Sequence, residues 1–447
     1  MSTVGNLDLA TKLMNLPPVR VLVVGDAMTD VDLHGRFERF AQESPHVPIF
    51  KINRREERPG GAGAVAAMVT ALGGTASLLA QTTAIKTRRW VDGVMVGRDD
   101  SDALDCSSPP EGVIHDLVSR ADVVLVADYG KGFCSDRVLS TVFGAAADES
   151  KLVIVDPARG KDWRAYAGAG GTVIKCNSIE WSEFIGPHSP NISIFRKVVI
   201  TDGSRGMVLT SHEPGSGSQF AAKRRRGVDV TGCGDMVLAC LGVCVGGGMS
   251  WEDACRVANC AAGLKVERRG AVPVSRSEVL GDLCGGEKIL PLNLLVEIVN
   301  GRKECGQEVA FTNGCFDILH PGHMQYLREA RAQADLLIVG LNSDDSVSAL
   351  KGTGRPVQTE DARSAILAGL QVVDFVVMFN DDTPVRLIEA IKPDVLVKGA
   401  DYCRDQVAGA DFVESYGGRV HLAELRRGYS TTRLIDEARM SYSTRGK

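Results

Sequence analysis

The chain has 447 residues, 44% hydrophobic and 24% charged, a globular composition with enough apolar mass for two or three cores and no call for disorder. Its 51 Lys and Arg against 56 Asp and Glu leave a net charge of −5, so no global positive field exists to hold a nucleic acid or an anionic membrane. No run approaches the ~18 apolar residues of a membrane span, and the first residues carry no apolar stretch behind a basic end, so a cytoplasmic protein is expected. The 12 cysteines contain no CxxC pair, which favours reduced core thiols over zinc ligands or disulfides.

In chain order, the first strand signal is VRVLVVG (19–25), a β-branched run ending in a glycine turn, followed by VVLVAD (123–128), LVIVD (152–156) and KVVIT (197–201). EPGSGSQFAAKRRRG (213–227) reads as a polar loop whose basic run is a solvated turn. A second series opens with VAFTNG (309–314) and continues through LLIVGLN (336–342), VDFVVMF (373–379) and DVLVK (394–398). Continuous apolar runs of this kind predict parallel sheets covered on both faces, hence an α/β chain. Between the series lie SRSEVLGDLCGGEKILPLN (275–293) and a helical LLVEIVNGRK, which place a boundary near residue 288 and give domains 1–287 and 288–447.

Two stretches carry chemistry. In DVTGCGD (229–235), two glycines around a small residue let backbone amides close on an anion at a helix start, and the following aspartate can accept a proton from an attacking hydroxyl. Alone, such a string is more often a turn. In FTNGCFDILHPGH (311–323), Pro321 suits a first helical position, so His320 and His323 bracket a helix N-terminus that favours phosphate. Zinc and ordinary surface histidines remain open readings, with zinc weakened by the lack of a third ligand at a familiar spacing.

Gly314, Phe316, Asp317, His320, Gly322 and His323 match the GxFDxxHxGH signature of nucleotidyltransferases. The match continues through Asn342, Ser343, Asp344, LKGTGRP (350–356), Arg363, Asp382–Pro384, VKGADY (397–402) and YSTTRLI (429–435). This half resembles the adenylyltransferase half of the bacterial bifunctional enzymes that make ADP-heptose for lipopolysaccharide. The resemblance implies in-line attack of a sugar 1-phosphate on ATP, with His320 and His323 on the reacting phosphates. It implies backbone donors at Thr312, Asn313, Gly314, Cys315 and Phe316, and a grip on ATP by Ser430, Thr431 and Thr432. Lys351, Arg355 and Arg363 become phosphate or sugar-phosphate contacts, and Lys398, Gly399 and Asp401 sit at a strand end. Asp317 either caps the turn, orients a histidine or joins the chemistry.

Around DVTGCGD the segments GDAMTD (25–30), ERPGGAGAVA (57–66), VADYGKG (126–132), NSIE (177–180), TDGSRG (201–206) and ANCAAG (258–263) occur in the order of ribokinase-like sugar kinases, resembling the heptose 7-phosphate kinase half of the same bifunctional family. The implied fold is a ribokinase-like α/β sandwich with a shortened lid, joined to a Rossmann-like nucleotidyltransferase domain. Asp235 is the implied base, Gly232, Cys233 and Gly234 the anion hole, and Asp30, Gly60 and Gly61 the sugar side. Asn177 and Glu180 match the NxxE that organises magnesium through its waters, with no direct protein ligand. Thr201, Gly203, Gly206 and Asn259 lie where the family holds ATP, and Lys86 and Arg88 lie on a lid strand within reach of a substrate phosphate. The expected partners are ATP, magnesium, sugar phosphates, a separate bisphosphate phosphatase and a second copy of the chain, with no nucleic acid and no membrane.

Two departures bear on activity. Ala64 stands where the family's PGGAANVA has its sugar-binding asparagine, and GGTASLLAQ (73–81) passes straight into TTAIKTR without an intervening helix and strand. A second shortening follows FIG (184–186). A poorly supported lid and a weakened kinase are expected, with a single-activity adenylyltransferase, or the same chemistries on another sugar, as alternatives.

Overall fold

The computed structural model describes residues 3–102, 107–168, 171–184, 194–210, 217–400 and 402–424. It divides into two compact units, one spanning Leu7–Leu283 and the other beginning at Cys284. The expected second shortening (185–193), Asp401 and Ser430–Thr432 lie outside the described residues.

The N-terminal unit is built on one large sheet. Its strands are β1 (Arg20–Phe40), β2 (Pro48–Gly61), β3 (Thr75–Val91), β4 (Val94–Asp102), β5 (Val123–Ala127), β6 (Leu152–Asp156), β7 (Thr172–Asn177), β8 (Lys197–Thr201), β9 (Met207–Thr210) and β10 (Gly217–Phe220). They run in the order β10-β9-β8-β7-β6-β5-β1-β3-β4, with β2 paired to β1. The centre, from β1 through β8, is parallel. Every residue of β5 is buried, as expected of a strand covered on both faces. Leu22, Val24, Val124 and Val126 pack on one side against Val138, Val142, Trp163 and Tyr166. The other side is closed by the helices Ala62–Ala71, Cys233–Gly246 and Trp251–Lys265, whose Val65, Met68, Leu238, Leu241 and Val257 are buried.

The lid is an outgrowth of this sheet. β1 continues past Ala27 and pairs antiparallel with β2 as far as Phe40, while β3 stays parallel beside it from Thr75 to Trp90. The register slips by one residue between Ala27 and Met28, so the join between GGTASLLAQ and TTAIKTR is a β-bulge inside one continuous strand. The expectation of a poorly supported lid is thereby corrected: β3 is hydrogen-bonded to β1 on one edge and to β4 on the other. Leu78, just before this bulge, is 46% exposed.

Residues 217–227 also differ from the expected polar loop. β10 pairs antiparallel with β9, and Phe220 is buried. Within the basic run, Arg225 is only 9% exposed and pairs with Asp282 at 2.5 Å, so its charge points inward.

In the C-terminal unit, β11 (Val309–Gly314), β12 (Leu336–Asn342), β13 (Phe375–Phe379), β14 (Val395–Gly399) and β15 (Arg419–Ala423) form an all-parallel sheet in the order β13-β12-β11-β14-β15. The chain leaves β11 toward β12 on one side and later returns to β14 on the other. Such a reversal opens a crevice at the strands' C-terminal ends, where ligands of open α/β sheets bind. The loop after β11 enters it and leads to the helix Pro321–Arg331.

Candidate active sites

Asp26 closes β1's core section with a fully buried carboxylate that accepts backbone N–H groups of Tyr129, Lys131 and Phe133 at 2.9–3.0 Å. Asp128, also buried, accepts from Gly130 N and the Tyr166 hydroxyl and pairs with Lys161. These two carboxylates immobilise the DYGKG loop, and the loop delivers the Tyr129 hydroxyl to 2.5 Å from Asp235 Oδ1.

Asp235 lies in the first turn of the Cys233–Gly246 helix, behind Gly232 in the left-handed conformation (φ 77°). The expected anion hole falls on this turn, at the positive end of the helix, where Cys233 N donates to the Val230 carbonyl at 3.2 Å. Burial pushes the Asp235 carboxyl above its usual range and Asp156 adds to the effect, while Tyr129, Lys175 and Lys86 oppose it. A base poised closer to neutrality than a free aspartate is suited to taking a hydroxyl proton. Cys233 is partly exposed, and its thiol is pushed up by burial. Beneath the turn, Lys175 pairs with Asp156 at 2.7 Å.

On the sugar side, Asp30 Oδ1 is buried and makes no hydrogen bond among the described residues; the nearest cation is Arg88, at 3.6 Å. A side chain on Gly60 would press into the Asp30 carboxylate, and Gly61 (φ 56°) starts the Ala62–Ala71 helix in which Ala64 is buried. A cavity of about 520 Å³ beneath the lid is lined by Asp32, Arg58, Lys86, Arg88, Trp90 and Arg269 among others. Burial lowers the Lys86 pKa, with Asp30 opposing.

The expected ATP-side residues lie near β7–β10, their polar side chains engaged in local hydrogen bonds. Asn177 Oδ1 accepts from Ile179 N and Glu180 N, and Glu180 Oε2 accepts from Asn177 N, a reciprocal cap. Thr201 Oγ1 donates to the Cys176 carbonyl, and Asn259 Nδ2 to that of Phe220. Gly203 and Gly206 shape the β8–β9 turn with positive φ.

In the C-terminal unit His320 caps the Pro321–Arg331 helix, its Nδ1 accepting from His323 N at 3.3 Å. That acceptor role puts the imidazole proton on Nε2. The two rings stack with centroids 3.8 Å apart, and Phe316 packs 5.3 Å from His323. Burial, reinforced by His320, lowers His323 to about 4. His323 Nδ1 and Asn313 Oδ1 are both buried without a hydrogen-bond partner among the described residues. Thr312 is buried and shares a 2.5 Å hydrogen bond with Tyr326, while Lys398 reaches the Asn313 carbonyl at 3.4 Å from the end of β14 beside Gly399.

Asp317 is 2% exposed and clamps the following loop, accepting from Arg355 Nε and from the amides of Val357 and Gln358. Arg363 differs in setting from an exposed phosphate contact. Among the described residues its side chain is fully buried, held by Asp344 and the carbonyls of Cys315 and Gln358, so it fixes the GCFD loop from behind. Lys351 stands exposed at the end of the Asp344–Lys351 helix, and burial raises the Cys315 thiol. Tyr129 and Asp26 lie in VADYGKG and GDAMTD, motifs to which the sequence assigns them no role, and Lys175 and Arg269 lie outside every quoted motif.

One sheet thus presents a carboxylate at a glycine-capped helix start, and the other presents stacked neutral imidazoles at a helix start. Together they define a carbohydrate kinase joined to a nucleotidyltransferase. The pfkB family carbohydrate kinase signature matches residues 96–277 and the cytidylyltransferase-like signature residues 311–444. The chain is 37% identical to the bifunctional protein HldE of Acidiphilium cryptum over 97% of this chain and 98% of that one. The HldE of Geobacter sulfurreducens gives 38% over 95% and 96%, and that of Pseudomonas aeruginosa 36% over 94% and 97%. Among solved structures, Arabidopsis thaliana ribokinase with ribose and ATP aligns at 19% identity over 60% of this chain and 99% of its own, with a TM-score of 0.45. The chain belongs to the family of bifunctional HldE proteins: it is a kinase and adenylyltransferase that uses ATP. Among the described residues no helix is long and apolar enough to cross a membrane.

Proposed function

We infer that the N-terminal unit phosphorylates D-glycero-β-D-manno-heptose 7-phosphate at C1, and that the C-terminal unit joins heptose 1-phosphate to AMP, giving ADP-heptose for the lipopolysaccharide core. The observation that carries this reading is the near full-length match to HldE proteins, with both chemical motifs retained.

In the kinase step Asp235 takes the proton of the anomeric hydroxyl, the alkoxide attacks the γ-phosphorus, and the glycine turn at Gly232–Gly234, at the positive end of the helix, receives the developing charge. Asp30 accepts from a sugar hydroxyl, its unpaired Oδ1 being the group a sugar would satisfy. Asn177 and Glu180 fit magnesium only through water, because their mutual cap leaves chiefly the second Glu180 oxygen to order the ion's hydration shell. Magnesium carried on the ATP phosphates supplies charge neutralisation to both reactions.

In the adenylyl step the sugar phosphate attacks the α-phosphorus and pyrophosphate leaves. His320 donates through Nε2, and His323 stacks behind it at the same helix start; both are neutral at pH 7 and gain basicity as phosphate charge accumulates. Ser430–Thr432 grip ATP. A separate phosphatase removes the 7-phosphate between the steps, and the chain pairs with a second copy.

The test is mass detection of products when the purified protein meets ATP, magnesium and each heptose phosphate separately. Heptose 1,7-bisphosphate and ADP-heptose are expected; ADP-heptose without bisphosphate reduces the protein to an adenylyltransferase.

A further inference from the structure

Asp235 does not stand free in its pocket. Tyr129 Oη is 2.5 Å from Asp235 Oδ1, across 106 residues of sequence. The backbone beneath this tyrosine is held by the buried Asp26 carboxylate, through Tyr129 N, Lys131 N and Phe133 N. The ring reaches the two other parts of the site as well. A side chain on Gly61 would come within 3.4 Å of Tyr129 Cε2, and Lys86 Nζ of the lid strand lies 5.7 Å from the ring centroid, in cation–π range. One residue therefore touches the base, the sugar-side glycine turn and the lid.

We propose that Tyr129 is a positioning residue of the kinase reaction: its hydroxyl occupies Asp235 Oδ1 so that Oδ2 faces the sugar hydroxyl, and its ring seats Lys86 when the lid lies over the substrate. The proposal rests on the kinase reading above. The step balances without the tyrosine changing state. The sugar O–H proton moves to Asp235 Oδ2, the sugar oxygen bonds the γ-phosphorus as its bond to the β-phosphate oxygen breaks, ADP leaves, and the proton later passes to solvent. Tyr129 remains the donor throughout, because burial first and then the charges of Asp235, Asp156 and Asp26 hold its proton tightly. The charged groups around Asp235 are Asp156 and Lys175 beneath the helix turn, Lys86 from the lid and Lys265 from the neighbouring helix, with the Cys233 thiol two residues away. Only Tyr129 among them donates a hydrogen bond to the carboxylate among the described residues.

A hydrogen bond to an ionised group is strong enough to matter here, and losing it lets the carboxyl hold its proton to higher pH. Three forms of the full chain test this: native, Tyr129→Phe, and a chain with 3-fluorotyrosine at 129, which keeps the ring's shape and donates more strongly. Steady-state phosphorylation of heptose 7-phosphate is measured from pH 5 to 9, with ATP affinity by calorimetry and adenylyl transfer as controls. The expected result for Tyr129→Phe is a kcat lower by about 10-fold or more, unchanged ATP affinity and adenylyl transfer, and an acid limb moved to higher pH. For 3-fluorotyrosine the acid limb moves to lower pH. Native kcat and an unmoved acid limb in Tyr129→Phe, or an unmoved limb with 3-fluorotyrosine should the phenylalanine variant fail to fold, overturn the role of Tyr129 alone; a native protein without kinase turnover overturns the kinase reading and the role with it.

Discussion

Lys175 Nζ lies 2.7 Å from Asp156 Oδ2, in the space that a side chain on Gly234 would enter. Lys175 is 5% exposed and Asp156 17%, so each charge depends on the other. Burial by itself would strip the Lys175 proton, and Asp156 and Asp235 keep it in place. A Cβ on residue 234 would stand 2.8 Å from the ammonium, so the pair or the helix turn must move. We expect Gly234→Ala to lower kinase kcat by about 100-fold, the scale of a disturbed oxyanion donor, with adenylyl transfer unchanged. Lys175→Met should destabilise the N-terminal unit by about 2 kcal/mol in chemical denaturation, because it leaves the half-buried Asp156 carboxylate without its partner. A Gly234→Ala enzyme within twofold of native would show that the glycine serves neither the pair nor the phosphate.

The two reactions should separate by mutation. Asp235→Asn removes the proton acceptor while keeping its shape, and a positioned base contributes about 10²- to 10⁴-fold. Kinase turnover should fall by that factor and ADP-heptose formation from heptose 1-phosphate should not change. Parallel loss of both activities in a folded protein contradicts two independent sites.

What was legible in the sequence follows from burial. LVIVD, KVVIT and LLIVGLN are strands with the bounds the sequence suggests, because both faces are covered and every position is apolar or nearly so. β10 and the outer part of β2 were not legible: GSQF and FKINRREE are polar and largely exposed, and their strand geometry comes from a neighbour's hydrogen bonds. A missing helix before TTAIKTR implies a loss of support on the sequence alone, yet a one-residue bulge lets the two segments run on as one strand. The site shows the same division. The glycines and histidines of local motifs were visible, whereas Arg363, a clamp on the Cys315 carbonyl, looks like any phosphate-binding arginine until its burial is known. Tyr129 meets Asp235 only through the fold.

His323 gives the C-terminal unit a measurable response to acid. Burial lowers its pKa to about 4 from an ordinary 6.5, with His320 adding to the effect. The unfolded chain therefore binds the proton more readily, so the stability this neutral imidazole contributes is complete above pH 6.5 and is lost as pH falls toward 4. The loss should be on the order of 1 to 3 kcal/mol. Thermal melts of native protein and His323→Gln should converge as the pH falls across this window, and a native melting curve as flat as the variant's would contradict the burial of a neutral ring. At pH 7 His323→Ala should abolish adenylyl transfer without affecting the kinase.

The last expectation concerns how the kinase tells a phosphorylated sugar from a plain one. Asp229 accepts from Thr231 N at 2.9 Å and from Gly270 N at 2.8 Å, tying the loop that leads to Asp235 to the turn that carries Arg269. Arg269 thereby keeps a set distance from the base. Its guanidinium lies 5.9 Å from the Trp90 ring centroid and against the Asp92–Gly93 lid turn, with no carboxylate partner among the described residues. Lys86, in the same cavity, likewise makes no ion pair among the described residues, and Arg88 approaches Asp30 and Asp32 only at 3.6 and 3.9 Å. Arg58, by contrast, is committed to Asp32 and Glu56. Three cations so weakly compensated under a lid suit a dianion at the end of the sugar away from C1. Arg269→Ala should raise KM for heptose 7-phosphate by about 10-fold or more, the scale of one charge-assisted hydrogen bond, with kcat within threefold of native. The poor activity expected of the unphosphorylated heptose should not change, because that substrate never meets the arginine. Equal KM increases for both sugars would instead assign Arg269 to holding the lid against Trp90, and an unchanged KM for both would remove it from the site.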